Sequence, residues 1–438
     1  MVCIPHRLRL SPDRPALFAA AARFEPSRCR VHTLARAGAS SLAAAPLRRW
    51  RRASARPGHV TTFHGPVGRG VRCSSGGSEA PAPAEALAGA SLPGSYKCLR
   101  AFTTGDSFRD VARVVEVDLP QVGPEQVLIR VTHAGINGGC ETFRARGEHW
   151  FERNQQAGPD GFALGAEGAG VIAAVGNNVT HLQPGTACTF VGGAFAEYTL
   201  ANAAMCFPVP DANAEVVALT ISGVTACVGL EVTGAMKPSD TVLVTAAAGG
   251  TGHFAVQLAK RMGCHVVATC GGAAKVAALA ELGADRIIDH TKEDVRAVLK
   301  KEYPKGMDLV YEGVGGSMLE MALDNLAVEG TLLVVGYISE YPHESSARTK
   351  EGSTIAEGLF WSAETVQRGK QTIRGNVWPK DDRKSIVDCK RKVFQLFAEG
   401  KLKVLLDDSQ TFEGLESIPD AIEHMLSGST IGKVVVTL

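Results

Sequence analysis

The feature that most constrains the fold is a glycine-rich turn placed between an apolar run and an amphipathic segment, within residues 241–260. The run before the turn, Thr241-Val-Leu-Val, is rich in β-branched residues, which favour a strand. After the turn, apolar residues recur with a period of about 3.6, which is typical of a helix with one buried face. They are Phe254, Ala255, Leu258, Ala259 and Met262. The pattern predicts a strand, a tight turn and a packing helix.

The turn itself is Ala246-x-x-Gly249-x-x-Gly252, a variant of the dinucleotide-binding fingerprint. In such a turn Gly249 allows the bend, Gly250 leaves room for a pyrophosphate, and Gly252 lets the helix pack close to the strand. Free N–H groups at the start of the helix would then bind the anion. We predict a dinucleotide pocket here, and the alternative is a purely structural strand–turn–helix unit.

The end of the next predicted strand, residues 265–270, indicates which dinucleotide would bind. An NAD site places an acid near this point to bind the ribose 2′-hydroxyl. Here the strand is followed by Gly271-Gly272 with no carboxylate, and Lys275 comes soon after. An ammonium group without a competing negative charge suits a 2′-phosphate, so the sequence predicts NADPH rather than NADH. The alternative is that Lys275 is simply an exposed lysine at the start of the next helix.

The charge of the chain is divided very unevenly along its length. Residues 1–78 contain fourteen Arg, no Lys and two acids, a net charge of +12, whereas the rest carries 32 basic and 43 acidic residues, a net of −11. An Arg-rich, Ala/Ser-rich and acid-poor leader without a long apolar run predicts an organelle transit peptide over residues 1–73. The step Val71-Arg72-Cys73 resembles a stromal processing site and favours the chloroplast, with the mitochondrion as the alternative.

Two other interpretations of the leader and its surroundings are disfavoured. A basic arm that binds nucleic acid would be expected to carry lysines and interleaved aromatic residues, so no nucleic-acid partner is predicted. No stretch approaches the roughly 18 apolar residues that span a membrane, so no membrane span is predicted either. Residues 74–95 are rich in Gly, Ala, Pro and Ser and are predicted to be a linker or a disordered mature N-terminus.

The eleven cysteines are scattered singly, with no C-x-x-C pair and no Cys/His cluster at the spacing of metal ligands. This distribution favours buried small apolar side chains in a reducing compartment over a disulfide framework.

The remaining chain shows two kinds of pattern. Short alternating runs separated by Gly and Pro predict a β-rich partial barrel over residues 96–217. Strand and helix patterns then alternate over residues 218–372, which predicts a parallel, doubly wound sheet. Residues 373–438 are predicted to return and complete the first domain. The strands are expected at 111–117, 126–131, 168–175, 194–200, 241–247, 265–270, 286–290, 307–313, 330–336 and 433–438, and the last two helices at 391–399 and 418–426.

The order of these parts resembles the medium-chain dehydrogenase/reductase superfamily over residues 96–438, most closely its quinone-reductase and enone-reductase branch. The segments that carry the resemblance are residues 245–252, 309–316, 334–339 and 414–417, which have the sequences TAAAGGTG, LVYEGVGG, VVGYIS and GLES. The resemblance implies an α/β fold with a GroES-like β-rich partial barrel domain plus a Rossmann NADP-binding domain. It also implies a homodimer formed through the edge strand of the nucleotide domain.

The zinc-dependent members of the superfamily carry metal ligands that this chain lacks. They use a Cys where this chain has Asn137 and a His where it has Ala166, and the four-cysteine lobe of a structural zinc is absent. Because a catalytic zinc needs at least three protein ligands, no metal is predicted.

Reduction without zinc points to an electron-poor substrate. Hydride can add to the β-carbon of an enone or enal, including 15-oxo-prostaglandin-like compounds, or to a quinone, and a few hydrogen-bond donors stabilise the resulting oxyanion. The alternatives are a zinc-dependent alcohol dehydrogenase and a non-catalytic NADPH-binding relative.

The resemblance also assigns cofactor contacts to individual positions. The pyrophosphate would lie against Ala246, Gly249, Gly250, Thr251 and Gly252, and the 2′-phosphate against Gly271 and Lys275. His290 stands where the branch often has a Tyr near the adenosine phosphate, and its alternative is a partly exposed histidine at a strand end. The chain would pass close to the cofactor again at Gly313, Val335, Gly336 and Tyr341, and Asn376 would meet the nicotinamide.

Asn137 is the candidate catalytic residue, as an amide donor near the nicotinamide or the substrate. The alternative is a turn residue that fixes its own backbone. A tyrosine that the branch carries a few residues later is replaced here by Phe143, so no tyrosine from this loop can assist the reaction. Cys140 nearby is either a reactive thiol or a buried packing residue.

Overall fold

The computed structural model describes residues 92–148, 158–341, 354–362, 365–375, 378–379 and 381–438. The predicted transit peptide, residues 1–73, most of the predicted linker and Asn376 lie outside these residues. The described residues all fall within one compact unit, residues 82–438.

The first half of the described chain is built from short antiparallel strands. They are β1 (Ser95–Ala101), β2 (Ala112–Asp118), β3 (Gln126–Gly135), β4 (Phe162–Ala163), β5 (Glu167–Val175), β6 (Ala187–Val191), β7 (Tyr198–Asn202) and β8 (Phe207–Pro208). A three-stranded sheet has the order β2–β1–β4, and a six-stranded sheet has the order β16–β3–β5–β6–β8, with β7 also paired to β3. Alternate residues of β3, such as Val127, Ile129 and Val131, face one apolar core inside this curved sheet.

The second half forms one seven-stranded sheet. Its strands are β9 (Thr241–Val244), β10 (His265–Cys270), β11 (Arg286–Asp289), β12 (Met307–Glu312), β13 (Leu326–Val334), β14 (Val366–Arg368) and β15 (Gln371–Gly375). The order is β11–β10–β9–β12–β13–β15–β14, and every neighbouring pair is parallel except the outer pair of β14 and β15. This doubly wound parallel sheet beside the β-rich domain confirms the predicted fold class.

Helices flank the parallel sheet and close the barrel. They are α1 (Phe108–Val111), α2 (Gly138–Ala145), α3 (Ala214–Thr233), α4 (Gly252–Met262), α5 (Ala273–Glu281), α6 (Val295–Glu302), α7 (Gly316–Asp324), α8 (Ile355–Trp361), α9 (Arg383–Ala398) and α10 (Ile418–Leu426). Helix α9 begins earlier than the predicted residue 391, because Asp382 accepts a hydrogen bond from the Ser385 N–H at 3.0 Å and caps the helix there.

Helix α3 corrects the expectation that no stretch is long and apolar enough to cross a membrane. It has 20 residues and meets the criteria of length and composition, but 72% of its most apolar window is buried inside the protein. It packs against α4 and α9 in the core of the second half, where Leu219, Val228 and Leu230 are fully buried. The apolar composition therefore reflects a core helix that is surrounded by protein on most sides.

The chain end joins the two halves at the edge where β9, β10, β12 and β13 finish. The last strand, β16 (Val435–Thr437), pairs antiparallel with β3. Just before it, the Gly432 N–H donates to the Ala248 carbonyl at 2.7 Å, and the Ile136 N–H donates to the Val434 carbonyl at 3.0 Å. One three-residue segment is thus hydrogen-bonded both to the glycine-rich turn and to the loop that follows β3.

Candidate functional site

A cavity of about 320 Å³ lies at this junction, at the carboxyl ends of the parallel strands. Ligands bind at this edge in open α/β sheets. All the predicted site residues that the structure describes line the cavity: Asn137, Ala246, Gly249, Gly250, Thr251, Gly252, Gly271, Lys275, His290, Gly313, Val335, Gly336 and Tyr341. Their individual roles stay predictions, and the prediction for Asn376 falls outside the described residues.

The glycine-rich turn is tightly built. A Cβ atom on Gly252 would lie 2.4 Å from the Ala246 carbonyl oxygen and 2.8 Å from the Ala247 Cα, so only glycine fits there. Ala246 itself has a φ of +45°, a region that glycine occupies more readily. Within the described residues, the N–H groups of Thr251 and Gly252 have no protein acceptor. The start of α4 therefore presents free donors to the cavity, as an anion-binding helix end does.

A buried histidine beneath the turn was not singled out from the sequence. His253 Nδ1 lies 2.9 Å from the Gly249 carbonyl oxygen, and its Nε2 accepts a hydrogen bond from the Leu405 N–H at 3.2 Å. Burial lowers the pKa of His253 to about 4, so the ring is neutral at pH 7. This neutral tautomer ties the turn to the returning chain. Its position directly after the fingerprint was the only available signal.

One end of the cavity is shaped by the loops after β10 and β11. The exposed His290 ring stands over Gly271, where a Cβ would come within 2.8 Å of its Cε1 atom. The buried Asp289 accepts hydrogen bonds from the Gly272 N–H at 3.0 Å and the Thr291 N–H at 3.1 Å. The hydrogen bond from the Gly272 N–H has the largest effect and that from the Thr291 hydroxyl the next largest, and together they lower the pKa of Asp289 to about 2. The carboxylate is therefore ionised, and it holds the loop backbone through these hydrogen bonds.

The ammonium group of Lys275 lies at the same end. It is half-buried and donates to the Gly428 carbonyl oxygen across the mouth of the cavity. Burial lowers the pKa of Lys275 below its usual value. Because the Gly428 carbonyl is its one hydrogen-bond partner among the described residues, the ammonium keeps donors for a further anion.

At the opposite end of the cavity Tyr341 forms part of the wall, and a cluster of aromatic side chains packs behind it. The Tyr341 hydroxyl accepts a hydrogen bond from the Tyr337 N–H at 3.3 Å and lies 3.3 Å from the place of a Cβ on Gly336. Burial raises the pKa of Tyr341, so the phenol keeps its proton and can donate it. Phe143 packs edge-on against Tyr341 with ring centroids 5.6 Å apart, and Tyr337, Phe360 and Trp361 complete the cluster.

The two interpretations of Cys140 can now be weighed. Burial raises the pKa of the Cys140 thiol to about 12, and Glu141 adds to the rise. A thiol in this state is almost fully protonated at neutral pH and is a poor nucleophile. The packing role is therefore favoured.

Asn137 takes part in a network of side chains rather than in a turn of its own. It precedes α2, yet its side chain makes no capping hydrogen bond to that helix. Instead, its Nδ2 donates to Glu167 Oε1 at 2.7 Å, and its Oδ1 accepts from Lys433 Nζ at 2.7 Å. The alternative of a residue that fixes its own backbone is thus disfavoured.

Lys433 and Glu167 are site residues that the sequence analysis missed. They form a buried ion pair, with Lys433 Nζ 2.6 Å from Glu167 Oε1 and side-chain exposures of 2% and 0%. Glu167 Oε2 also accepts from the Ile221 N–H at 2.6 Å, and Lys433 Nζ lies 3.4 Å from Ser222 Oγ. The available signal in the sequence was a charged residue inside an apolar strand pattern at positions 167 and 433. A charged side chain is rarely buried without a partner of opposite charge.

The donor set at this place does not fit a zinc ion. Across the part of the chain that the structure describes, no three His, Cys, Asp or Glu side chains are grouped so as to hold a metal. The Asn137 amide oxygen faces an ammonium group, and Ala166 offers no side-chain donor. Zinc-independence stays a prediction about the reaction.

Comparison with known families and proteins gives one consistent result. The family described as alcohol dehydrogenase GroES-like domain matches residues 123–211, and the family described as zinc-binding dehydrogenase matches residues 250–371. The chain is 33% identical over 358 residues to Prostaglandin reductase-3 of Bos taurus, covering 80% of this chain and 91% of that protein. It is also 33% identical over 351 residues to the Probable quinone oxidoreductase of Leishmania amazonensis, covering 80% and 99%.

Solved structures agree with these sequence matches. The crystal structure of the Pseudomonas syringae pv. Tomato DC3000 quinone oxidoreductase superposes with a TM-score of 0.63 at 25% identity, covering 78% of this chain and all of that one. The chain is an oxidoreductase and belongs to the medium-chain dehydrogenase/reductase superfamily, in its quinone-oxidoreductase branch.

Proposed function

We propose that this enzyme uses NADPH to reduce the C=C bond of α,β-unsaturated carbonyl compounds, or quinones, by direct hydride transfer without zinc. The observation that carries the proposal is the cavity itself. One end has free helix N–H groups and a lysine ammonium, and the other has an amide and a phenol that is backed by an aromatic cluster. That arrangement suits a long anionic cofactor meeting a flat apolar substrate.

The residues present fit the cofactor. Thr251 and Gly252 N–H groups at the start of α4 would hold the pyrophosphate, with Gly250 leaving room for it. Lys275 would pair with the 2′-phosphate, and His290 would border the adenosine end. When bound, NADPH would supply the hydride.

The chain's own groups would stabilise the charge that develops on the substrate oxygen. Asn137 and Tyr341 are polar donors that line the far end of the cavity, and preorganised donors of this kind lower the energy of an oxyanion. The aromatic cluster around Phe143 would exclude water from the reacting carbon. Solvent at the mouth of the cavity could supply the final proton.

The substrate class is supported by the names of the relatives. One of them is named a prostaglandin reductase and another a probable quinone oxidoreductase. An enone and a quinone share one requirement, which is a carbon made electron-poor by a conjugated carbonyl group.

Steady-state assays of the purified protein, residues 74–438, test the proposal. We expect NADPH oxidation with a panel that includes trans-2-hexenal, cyclohex-2-enone, a 15-oxo-prostaglandin and 1,4-naphthoquinone, unchanged after treatment with EDTA. Turnover only with alcohols, NAD⁺ and added zinc would instead identify an alcohol dehydrogenase. Tight NADPH binding with no turnover of any compound would identify a non-catalytic relative.

Replacing Lys275 with methionine tests the cofactor preference. We expect the Kd for NADPH to rise about 10- to 100-fold, because a charge-assisted contact with the 2′-phosphate is lost. The Kd for NADH, which has no such phosphate, should change less than about threefold. Fluorescence titration with both cofactors measures the change. Lys305→Met, an exposed lysine on the loop before β12 and outside the cavity lining, is the control. Equal weakening for NADH and NADPH would contradict the role of Lys275.

We further propose that the enzyme is imported into the chloroplast, with the mitochondrion as the alternative. The support is the Arg-rich, acid-poor composition of residues 1–73. Import assays with isolated chloroplasts and mitochondria would distinguish the two, and uptake by neither would contradict the proposal.

A homodimer is proposed through the outer strand of the seven-stranded sheet. β14 (Val366–Arg368) ends that sheet and has a neighbour on one side only among the described strands. Such an edge can pair with a second copy of the same strand. A monomer mass by light scattering at micromolar concentration would contradict this arrangement.

A further inference from the structure

The Asn137 amide is held between two opposite charges that are both buried. Its oxygen faces the Lys433 ammonium at 2.7 Å, and its nitrogen faces the Glu167 carboxylate at 2.7 Å. We propose that Lys433 and Glu167 are positioning residues that fix the orientation of the Asn137 amide and strengthen it as a donor to the substrate oxygen. This inference rests on the proposed function and assigns a task to a pair of residues outside the cofactor-binding turn.

The charges leave the amide only one orientation. A rotation of 180° would turn the amide NH₂ group toward the ammonium and the amide oxygen toward the carboxylate, and both new contacts would be repulsive. In the observed orientation one Nδ2 hydrogen is given to Glu167. The second has no protein acceptor among the described contacts, and Asn137 is half-buried at the wall of the cavity. That hydrogen is the one available to a ligand.

The Lys433 ammonium also polarises the amide. An ammonium on the oxygen withdraws electron density from the C–N unit, so the remaining N–H becomes a better donor. Hydrogen bonds are shorter and stronger when the donor or the acceptor is ionised, and this effect is larger where water is excluded. An enolate oxygen, which gains negative charge during hydride transfer, benefits more from this donor than the neutral carbonyl does.

Each member of the pair is fixed by separate parts of the fold. Helix α3 has a π-helical segment at Leu219–Gly223, and within it the Ile221 N–H donates to Glu167 Oε2 at 2.6 Å. The Lys433 side chain lies against the glycine-rich turn, where a Cβ on Gly250 would be 3.3 Å from its Cδ atom. The orientation of Asn137 is thus linked to the segment that would hold the cofactor.

The pair also supplies a fixed positive charge beside Asn137. The cation is the ammonium of Lys433, which is attached to the chain and neutralised by Glu167. The substrate carbonyl would then be polarised by the fixed Asn137 amide, which has the Lys433 ammonium as its charged neighbour.

Kinetics of a neutral double variant tests the proposal. Lys433→Met with Glu167→Gln removes both charges together, which avoids an unpaired buried charge and preserves the fold better than either single change. We expect kcat for the fastest enone of the panel to fall at least about tenfold, with KM and the Kd for NADPH changing less than about threefold. Lys433→Arg should recover part of the loss. The matched control is Lys370→Met with Glu329→Gln, which removes an exposed ion pair of 2.9 Å far from the cavity.

A pH profile separates positioning from a merely structural role. Asn137→Asp should donate to the substrate only when its carboxyl is protonated, so its kcat should fall as pH rises, unlike that of the wild type. Adding Lys433→Met should move the midpoint to higher pH, because the ammonium that favours the ionised carboxylate is gone. An unmoved midpoint, or a double variant with kcat within twofold of the wild type, overturns the inference. A wild type without turnover would instead overturn the proposed function, and the inference with it.

Discussion

Replacing Gly252 with alanine is expected to raise the Kd for NADPH at least about 100-fold, because the turn that presents the N–H groups cannot keep its shape. The added methyl carbon would lie 2.4 Å from the Ala246 carbonyl oxygen and 2.9 Å from that of Ala247, both of which are backbone atoms. Backbone cannot move aside as a flexible side chain can, so the first turn of α4 must shift. Fluorescence titration of the purified variant measures the loss of affinity.

The control for this substitution is Gly358→Ala. Gly358 lies in helix α8, outside the cavity, and a Cβ there would meet no atom within 4 Å. This variant should bind NADPH like the wild type and should be slightly more stable, since alanine favours a helix over glycine. If Gly252→Ala also bound NADPH normally, the glycine-rich turn would not be the pyrophosphate site. Thermal melts of both variants separate a local shift from general unfolding.

The fold class and the cofactor end of the site were predictable because their signals are local in sequence. The apolar run, the glycine-rich turn and the helix period that predict the first βα unit all fall within residues 241–262. Each later strand of the parallel sheet is likewise a short apolar run, and the carboxyl ends of parallel strands must meet at one edge. The end of the second strand therefore placed Gly271 near the turn, whereas Gly313 was placed there by the family resemblance.

The other end of the site depends on pairings that no local pattern records. Asn137 and Lys433 are 296 residues apart, and they meet only because β16 pairs with β3. The register of that pairing selects which residue before β16 faces the cavity. Lys433 therefore appeared in the sequence as one charge at the start of an apolar strand. Helix α3 shows the same limit of local sequence patterns, because composition alone does not distinguish a buried core helix from a membrane-spanning helix.

Glu141→Gln is expected to raise the free energy of unfolding at pH 8 by about 3 kcal/mol, or the melting temperature by roughly 5 °C. Glu141 is fully buried in α2, and its Oε2 atom has no hydrogen-bond partner among the described residues. Burial raises the pKa of its carboxyl from 4.5 to about 7 against the opposing effect of Arg144. Above pH 7 the folded protein therefore holds a buried carboxylate whose burial is only partly compensated, and glutamine would replace it with a neutral group.

The direction of the pH dependence distinguishes this effect from a general improvement in packing. Because the pKa is higher in the folded state, the stabilising proton is present below pH 4.5 and is lost as pH rises to about 7. The advantage of Glu141→Gln should therefore be absent at pH 4.5, grow through that window and stay constant above it. Glutamine keeps the bond that Oε1 accepts from the Ala166 N–H at 3.2 Å. Glu320→Gln, at an exposed glutamate on α7, is the control for the loss of one carboxylate. An equal gain in stability at pH 4.5 and pH 8 would mean that ionisation of Glu141 is not the cause.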